Sequence, residues 1–194
     1  MLETSIDSDR RGRLLDTALA VFARYGFRKT SMEEVARAAD ISRQGLYLHF
    51  PGKEALFRAA IARMLETGLS AMDAELARDA PIGQRLYAAM KAWYGRSVGT
   101  PAANADDLFA RSVAMLGGAM ERAGAEVPLK LEAAIAASPL AARLVERGLT
   151  PADAALTLEA CGLGLKHAGL TREAFKARLA AAVSLTVGAP VRAS

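Results

Sequence analysis

Residues Thr30 to Lys53 of this chain read TSMEEVARAADISRQGLYLHFPGK, and this stretch decides the fold. Ser31 and Glu34 have the spacing of a capping box, in which each side chain bonds the other residue's backbone amide at a helix start. The apolar residues that follow recur at helical spacing. Asp40 stands where the chain must turn, because aspartate tolerates a left-handed backbone better than most residues do. Ser42 is then a good N-cap for a second helix, so the stretch predicts two short helices joined by a tight turn.

The second helix is predicted to run from about Arg43 to Phe50. Leu46 and Phe50 lie four residues apart and form its inward face. Pro51 ends the helix, because proline disfavours helical geometry in the residue before it. Three residues remain on the outward face: Arg43, Gln44 and Tyr47.

This pattern is typical of a helix-turn-helix, a motif that places its second helix in the major groove of DNA. Arginine and glutamine on the outward face suit bidentate hydrogen bonds to guanine and adenine edges. Gly45 disfavours the helix by roughly 0.5 to 1 kcal/mol, which suggests that the backbone approaches another molecule closely there. A helical hairpin without a DNA-binding role is the competing interpretation, with Gly45 then a product of drift.

The region from about Arg10 to Arg63 resembles the TetR family of bacterial transcriptional regulators. The resemblance rests on the run ISRQGLYLHF from Ile41 to Phe50, followed by GKEAL from Gly52 to Leu56. One departure is Asp40, which occupies a turn site where the family often has glycine. The resemblance implies base-reading positions at Arg43, Gln44 and Gly45, and positions at or beside backbone phosphates at Thr30, Ser31, Ser42, Tyr47, His49 and Lys53.

The charge of the chain favours the same interpretation. Residues 10–58 contain ten Lys or Arg against five Asp or Glu, an excess of five positive charges. The whole chain carries 25 basic and 21 acidic residues, a net charge of +4. The positive excess is therefore N-terminal, where it surrounds the motif as expected for an electrostatic footprint for nucleic acid. Three helix starts in this region could also bind phosphates through free amides and the macrodipole.

The rest of the chain predicts an all-α protein. An amphipathic helix from Arg10 to Tyr25 precedes the motif and completes a three-helix DNA-binding unit. The expected division is an N-terminal DNA-binding domain at 1–52 and a C-terminal effector-binding and dimerisation bundle at 53–194, joined by a long helix. Further helices are expected at about 53–79, 82–97, 105–124, 128–147, 151–168 and 172–187.

The last two predicted helices carry more apolar residues than a terminal hairpin needs. The resemblance implies that they pair with the same helices of a second subunit in a four-helix bundle. An entirely intramolecular core is the competing interpretation. A two-fold dimer would place two recognition helices about 34 to 36 Å apart and would predict a pseudo-palindromic operator on double-stranded DNA. The predicted interface residues are Leu158, Gly162, Leu165, Phe175, Leu179 and Val183.

The middle helices hold aromatic and sulfur-containing residues that could line a pocket for a small, apolar effector. Such pockets are apolar with few polar groups, and methionine adapts to varied ligands, although the same residues commonly form ordinary core. The resemblance implies that an effector bound there lowers operator affinity. The predicted lining is Met64, Tyr87, Met90, Trp93, Tyr94, Phe109, Met115 and Met120.

An enzyme is the main rival class, and the sequence offers little chemistry for one. Two histidines and one cysteine leave almost no ligands for a metal site, and no phosphate loop or nucleophile elbow occurs. We expect no cofactor. The longest stretch without charge, Leu179 to Val191, is shorter than a bilayer span, and Cys161 has no intramolecular disulfide partner. We therefore expect a cytoplasmic protein without a membrane segment. An effector-independent architectural DNA-binding protein is the alternative to a regulator.

Overall fold

The computed structural model describes the backbone of residues 2–98 and 105–193 and the side chains of residues 9–96, 98 and 110–193. Within that part of the chain there are nine α-helices, a short 3-10 turn at Gly95–Ser97 and no strand, which confirms the predicted all-α class. The helices are α1 (Leu2–Tyr25), α2 (Met32–Ala38), α3 (Arg43–His49), α4 (Lys53–Leu76), α5 (Ile82–Tyr94), α6 (Ala105–Ala136), α7 (Leu140–Glu146), α8 (Pro151–His167) and α9 (Arg172–Val187).

Several helix boundaries differ from the sequence-based prediction. Helix α1 begins at Leu2 instead of near Arg10. Helix α6 passes through Pro128, where a new helix was predicted to begin, and continues to Ala136. A proline removes its own backbone donor, but apolar side chains on both sides of it are buried at four-residue spacing, so packing outweighs the lost bond. Those side chains are Val127, Leu131 and Ile135.

The predicted helix at 128–147 is instead divided by a break at Ser138 and Pro139. The Ser138 hydroxyl donates to the Ile135 carbonyl at 2.7 Å, at the end of α6. The same oxygen accepts from the Leu140 amide at 3.3 Å, at the start of α7. One serine therefore satisfies backbone groups of both helix ends, as a break between helices requires.

The chain divides into two compact units, and the first comprises Met1–Glu66 and Pro101–Glu121. Its core is built around three phenylalanines from α1, the following turn and α4. The rings of Phe22 and Phe57 lie 5.1 Å apart edge to face, and those of Phe27 and Phe57 lie 5.0 Å apart. Aromatic pairs at these separations contribute about 0.5 to 1.5 kcal/mol beyond the area they bury.

This first unit extends beyond the three-helix domain predicted at 1–52. It includes the first half of α4 and the part of α6 up to Glu121. Helix α6 is irregular at Leu116, where φ is −138° and ψ is 20°. Arg58 of α4 donates to the Met115 carbonyl at 2.7 Å, next to this irregularity. Met115 and Leu116 also pack against the phenylalanine core, so part of α6 is built into the helix-turn-helix unit.

The second unit comprises Thr67–Thr100 and Arg122–Ser194, and its core lies among α5, α8 and α9. Leu86, Met90 and Leu158 are completely buried there. A Cβ placed on Gly162 of α8 would lie 2.6 Å from Cδ2 of Tyr94. Because this position has no side chain, α8 approaches α5 closely within one subunit.

The structure places most of the predicted subunit-interface residues in the core of the second unit. Four of the predicted residues are at most 1% exposed inside the second unit, namely Leu158, Phe175, Leu179 and Val183. Leu165 packs against the same core. Gly162 is buried against Tyr94. These side chains are already covered by their own chain, which favours the competing interpretation of an intramolecular core for them, and the subunit interface itself stays a prediction.

In the described part of the chain, none of the helices combines the length and apolar character needed to cross a membrane.

Candidate nucleic-acid interface

The local signals in the sequence produce the helix-turn-helix as predicted. The Ser31 side chain accepts from the Glu34 amide, and the Glu34 carboxylate accepts from the Ser31 amide at 2.7 Å, which completes the capping box. The hydrogen bond from the Ser31 backbone amide contributes most to lowering the pKa of Glu34, and the hydrogen bond with the Ser31 side chain lowers it further. Asp40 turns the chain with φ at 52°, the single positive φ of a described non-glycine residue. Ser42 caps α3 by accepting from the Gly45 amide at 2.9 Å.

Helix α3 is held in place by its inward face. Leu46 is completely buried and Phe50 is 3% exposed, both within the core of the first unit. The guanidinium of Arg11 lies 5.2 Å from the centroid of the Phe50 ring, so α1 covers the end of α3. The anchored face leaves the opposite side of α3 open to a partner.

The exposed face of α3 carries the predicted base-reading side chains. Arg43 and Gln44 are both exposed, as predicted. The Arg43 guanidinium lies 5.7 Å from the centroid of the Tyr47 ring, which is 41% exposed. This contact orients Arg43 along one edge of the helix while its donors remain at the surface. His49 is exposed at the last turn.

Sequence reasoning missed Leu48, which is 83% exposed and has the largest exposed fraction among the exposed large apolar side chains of the described residues. The signal was available, because residue 48 lies two positions after the buried Leu46 and therefore on the far side of the helix. Polarity alone does not identify this outward position, whereas the helical angle does.

Gly45 has a structural reason that the sequence did not reveal. A Cβ at this position would lie 3.1 Å from the Ser42 hydroxyl oxygen, tighter than ordinary van der Waals contact. That hydroxyl is the N-cap of α3. Glycine at this position therefore keeps the cap undisturbed.

Thr30, which was predicted to contact a phosphate, is buried in the turn between α1 and α2. Thr30 is 2% exposed, and its hydroxyl donates to the Gly26 carbonyl at 2.8 Å. The side chain closes the turn between α1 and α2 instead of facing solvent. Ser31 is exposed, but its hydroxyl proton goes to the Glu34 carboxylate at 2.9 Å, so its observed role is helix capping.

Lys53 begins α4 beside the motif and is already engaged within the protein. Its Nζ donates to the Arg28 carbonyl at 3.2 Å and lies 4.7 Å from the centroid of the Phe27 ring. Lysine carries three donors, so the carbonyl leaves two protons for another acceptor. The two contacts hold the ammonium in a defined place near the start of α4.

A shallow groove of about 270 Å³ lies between α2 and the start of α3. Arg37 of α2 and Arg43 of α3 both line it, with Glu33 at the same site. Sequence reasoning did not single out Arg37 or Glu33, although their four-residue spacing places them on one side of α2. The groove brings two cations together beside the outward face of α3.

The residues predicted to line an effector pocket are divided between the two units. Met64 and Met115 pack against the core of the first unit. Met120 lies in the same unit but is not part of that core. Those of α5 belong to the second unit, where Tyr87, Met90 and Tyr94 are buried and Trp93 packs against them. The side chain of Phe109 lies outside the described residues.

Tyr94 is the most constrained of these residues. Its hydroxyl lies 3.5 Å from both the carbonyl and a carboxylate oxygen of Glu159. Burial raises the pKa of Tyr94, and the Glu159 charge raises it further. The phenol is therefore neutral, and its proton is directed at α8.

In the described part of the chain, no three histidine, cysteine, aspartate or glutamate side chains lie together in a way that could hold a metal ion.

The fold and this surface define a helix-turn-helix protein. Residues 14–60 match the family model described as bacterial regulatory proteins, tetR family. The helix-turn-helix region of this chain is therefore similar to the corresponding region of the tetR family.

Two curated relatives each match part of the chain. The uncharacterized HTH-type transcriptional regulator YfiR of Bacillus subtilis is 39% identical over 64 residues, which are 33% of this chain and 31% of that protein. The HTH-type transcriptional regulator RutR of Escherichia coli K12 is 33% identical over 99 residues, covering 41% of this chain and 47% of that protein. The matches therefore span less than half of each relative.

A solved structure matches over nearly the whole chain. The crystal structure of AibR in complex with isovaleryl coenzyme A and operator DNA has a TM-score of 0.59, with 91% of this chain and 97% of that chain covered. The two sequences are 19% identical, so the match shows a common fold.

Proposed function

We propose that this protein is a transcriptional regulator that binds a pseudo-palindromic operator as a homodimer and represses transcription until a small effector releases it. The observation that carries the proposal is the exposed face of α3, with Arg43 and Gln44 at the start of a helix anchored by Leu46 and Phe50. The family model covers the same helices.

Arg43 and Gln44 read the bases in this proposal. Arginine donates two bonds to the O6 and N7 atoms of guanine, and glutamine pairs with N6 and N7 of adenine. The Tyr47 ring beside Arg43 limits the directions that its guanidinium can take. Gly45 lets the α3 backbone come close to the groove.

The phosphate contacts come from the ends of helices around α3. Ser42, Tyr47 and His49 lie on exposed positions of α3 or its cap, and Lys53 begins α4. We add Arg37, which shares the groove with Arg43 and is placed to neutralise a phosphate beside the recognition helix. Contacts of this kind set the register of the protein on the duplex without reading its sequence.

The dimer in this proposal uses the exposed side of α8 and α9. Leu156 and Leu163 of α8 are 56% and 45% exposed, and Leu185 of α9 is 79% exposed. The exposed Ala160 extends the α8 stripe at four-residue spacing, and the exposed Ala181 does the same before Leu185. Helices α8 and α9 pack against each other, and in this proposal their two stripes together make the apolar surface that a second copy covers.

The effector in this proposal is small and mainly apolar, and its candidate contacts in the second unit are the aromatic and methionine side chains of α5. AibR is a structural neighbour whose structure holds both isovaleryl coenzyme A and operator DNA. An effector releases DNA only to the extent that it binds the DNA-incompetent state more tightly than the other state.

The test is selection of duplexes from a random library by the purified protein, followed by binding measurements with variants. Wild type is expected to enrich a two-fold symmetric site and to bind it as two chains. Arg43→Ala should lose about 1 to 3 kcal/mol and relax discrimination at one position in each half-site, whereas Lys53→Ala should weaken all sequences alike.

Arg143→Ala, which removes an exposed arginine in the second unit, is the matched control and should leave binding unchanged. Uniform loss in both the Arg43 and Lys53 variants would contradict the base-reading role of Arg43. Enrichment of no sequence, with weak binding to every duplex, would favour an architectural protein.

A further inference from the structure

We propose that Leu48 reads the 5-methyl group of a thymine in each operator half-site. The inference rests on the proposed DNA-binding function and adds a specificity-determining residue that is neither charged nor polar. It begins from the position of an almost fully exposed leucine on the recognition helix.

Helical geometry places Leu48 at the centre of the outward face of α3. Each residue of an α-helix advances about 100° around the axis. The direction opposite the buried Leu46 then falls midway between Gln44 and Leu48, about 20° from each. These two residues therefore form the outermost ridge of α3, and they are the side chains that reach furthest into a groove.

The other exposed side chains of α3 lie to the sides of this ridge. Arg43 and Tyr47 lie on one flank, where the guanidinium covers the ring at 5.7 Å. His49 lies on the other flank. An isolated exposed leucine elsewhere on a surface would need no explanation. This leucine differs because it shares the ridge with Gln44, which we propose reads adenine.

The chemistry of the major groove selects the partner of Leu48. The groove edges of the four bases present hydrogen-bond donors and acceptors, and the thymine C5-methyl is their apolar group. A leucine that reaches into the groove can exclude water from that methyl group, whereas it gains no binding free energy beside a polar base edge. Residues four apart on a helix lie about 6 Å apart, close to two base-pair steps of 3.4 Å. The thymine is thus expected within about two base pairs of the base read by Gln44.

The experiment removes the methyl group alone. Once selection has defined the operator, synthetic duplexes carry deoxyuridine in place of thymine at one symmetric position at a time. Base pairing and the polar edge remain the same. Dissociation constants are measured for wild type, Leu48→Ala and the matched control Leu129→Ala, which truncates a 63% exposed leucine of α6.

Wild type and Leu129→Ala are expected to lose about fourfold in affinity per half-site at one thymine, the value for one buried methyl group. Leu48→Ala should bind thymine and deoxyuridine duplexes equally at that position and keep the wild-type response elsewhere. The wild-type scan alone tests the methyl contact, so the result does not depend on whether the variant folds.

Two results would overturn the inference while leaving the proposed function intact. One is a wild-type protein that binds its operator specifically and responds to no single deoxyuridine. The other is a Leu48→Ala variant that keeps the full methyl penalty or weakens every duplex equally. Failure of the selection to enrich any sequence would overturn both the inference and the proposed function.

Discussion

Gly162→Ala is expected to destabilise the protein although it replaces a helix-interior glycine by the best helix former. A Cβ at residue 162 would lie 2.6 Å from Tyr94 Cδ2 and 3.1 Å from Met90 Cε, where ordinary contact begins near 3.4 Å. Tyr94 is 3% exposed and Met90 is completely buried, so the ring cannot yield without disturbing the core between α5 and α8. Over-packing of this kind costs about 1 to 3 kcal/mol.

The gain in helix propensity offsets about 1 kcal/mol of that cost. The net loss for Gly162→Ala is therefore about 1 kcal/mol. Gly164, two residues further along α8, has nothing within 4 Å of an added Cβ. Gly164→Ala should therefore raise stability by about 0.5 to 1 kcal/mol. The two alanine variants should differ by about 2 kcal/mol, or roughly 4 to 8 °C in melting temperature.

The assay is thermal and urea unfolding followed by circular dichroism. Because Gly164 lies near the proposed dimer surface, Gly124→Ala in α6 serves as a second control, since its added Cβ also has open space. A Gly162→Ala variant as stable as these two controls would refute the close packing of α8 on Tyr94. It would also reopen the role of Gly162 at a subunit interface.

Three further predictions concern the turn, the capping box and the dimer surface. Asp40→Gly should raise the free energy of unfolding by about 0.5 to 1 kcal/mol, because φ at 52° strains a residue with a side chain; an unchanged urea midpoint would contradict this. The folded-state pKa of Glu34 is lowered below 4.5. The ionised carboxylate therefore contributes to the free energy of unfolding above pH 4.5, and this contribution is lost as the pH falls through the folded-state pKa. Glu34→Gln should therefore melt below wild type at pH 7, and a difference that persists unchanged at pH 3 would argue against an ionic contribution. Leu185→Glu should shift the protein from dimer to monomer in light scattering, whereas Val145→Glu, which changes a 67% exposed valine of α7, should not. Equal behaviour of the two variants would exclude the α9 surface as the dimer interface.

The helix-turn-helix could be predicted in detail because its signals are local. The capping box, the left-handed Asp40 and the Ser42 cap each depend on a few neighbouring residues and the backbone groups beside them. The burial of Thr30 could not be predicted in this way. Its hydroxyl closes a turn on Gly26, and nothing in the sequence separates that use from a phosphate contact.

The faces of α8 and α9 could not be assigned from sequence, for a different reason. Helix α8 carries leucines at residues 156, 158, 163 and 165, with small residues between them, so no single apolar stripe stands out. Leu158 is buried, whereas Leu156 and Leu163 are exposed, because α8 packs against α5 and α9 on the side of Leu158. Residues distant in sequence decide which side of such a helix is covered.

The division of the chain shows the same limit. The prediction ended the DNA-binding domain at residue 52, where the local motif ends. Arg58 and Met115 are 57 residues apart, and their hydrogen bond joins part of α6 to the first unit. No local sequence pattern predicts a contact between residues so far apart in the chain. The functional boundary between DNA binding and effector binding remains a prediction.

Specific recognition of an operator can be measured by binding of the purified protein to DNA fragments from around its own gene across a salt series. We expect a shift of one fragment that carries a pseudo-palindrome, bound by two chains, with an affinity that falls steeply as salt rises because phosphate contacts release counterions. Absence of binding to any fragment, even at low salt, would contradict this expectation.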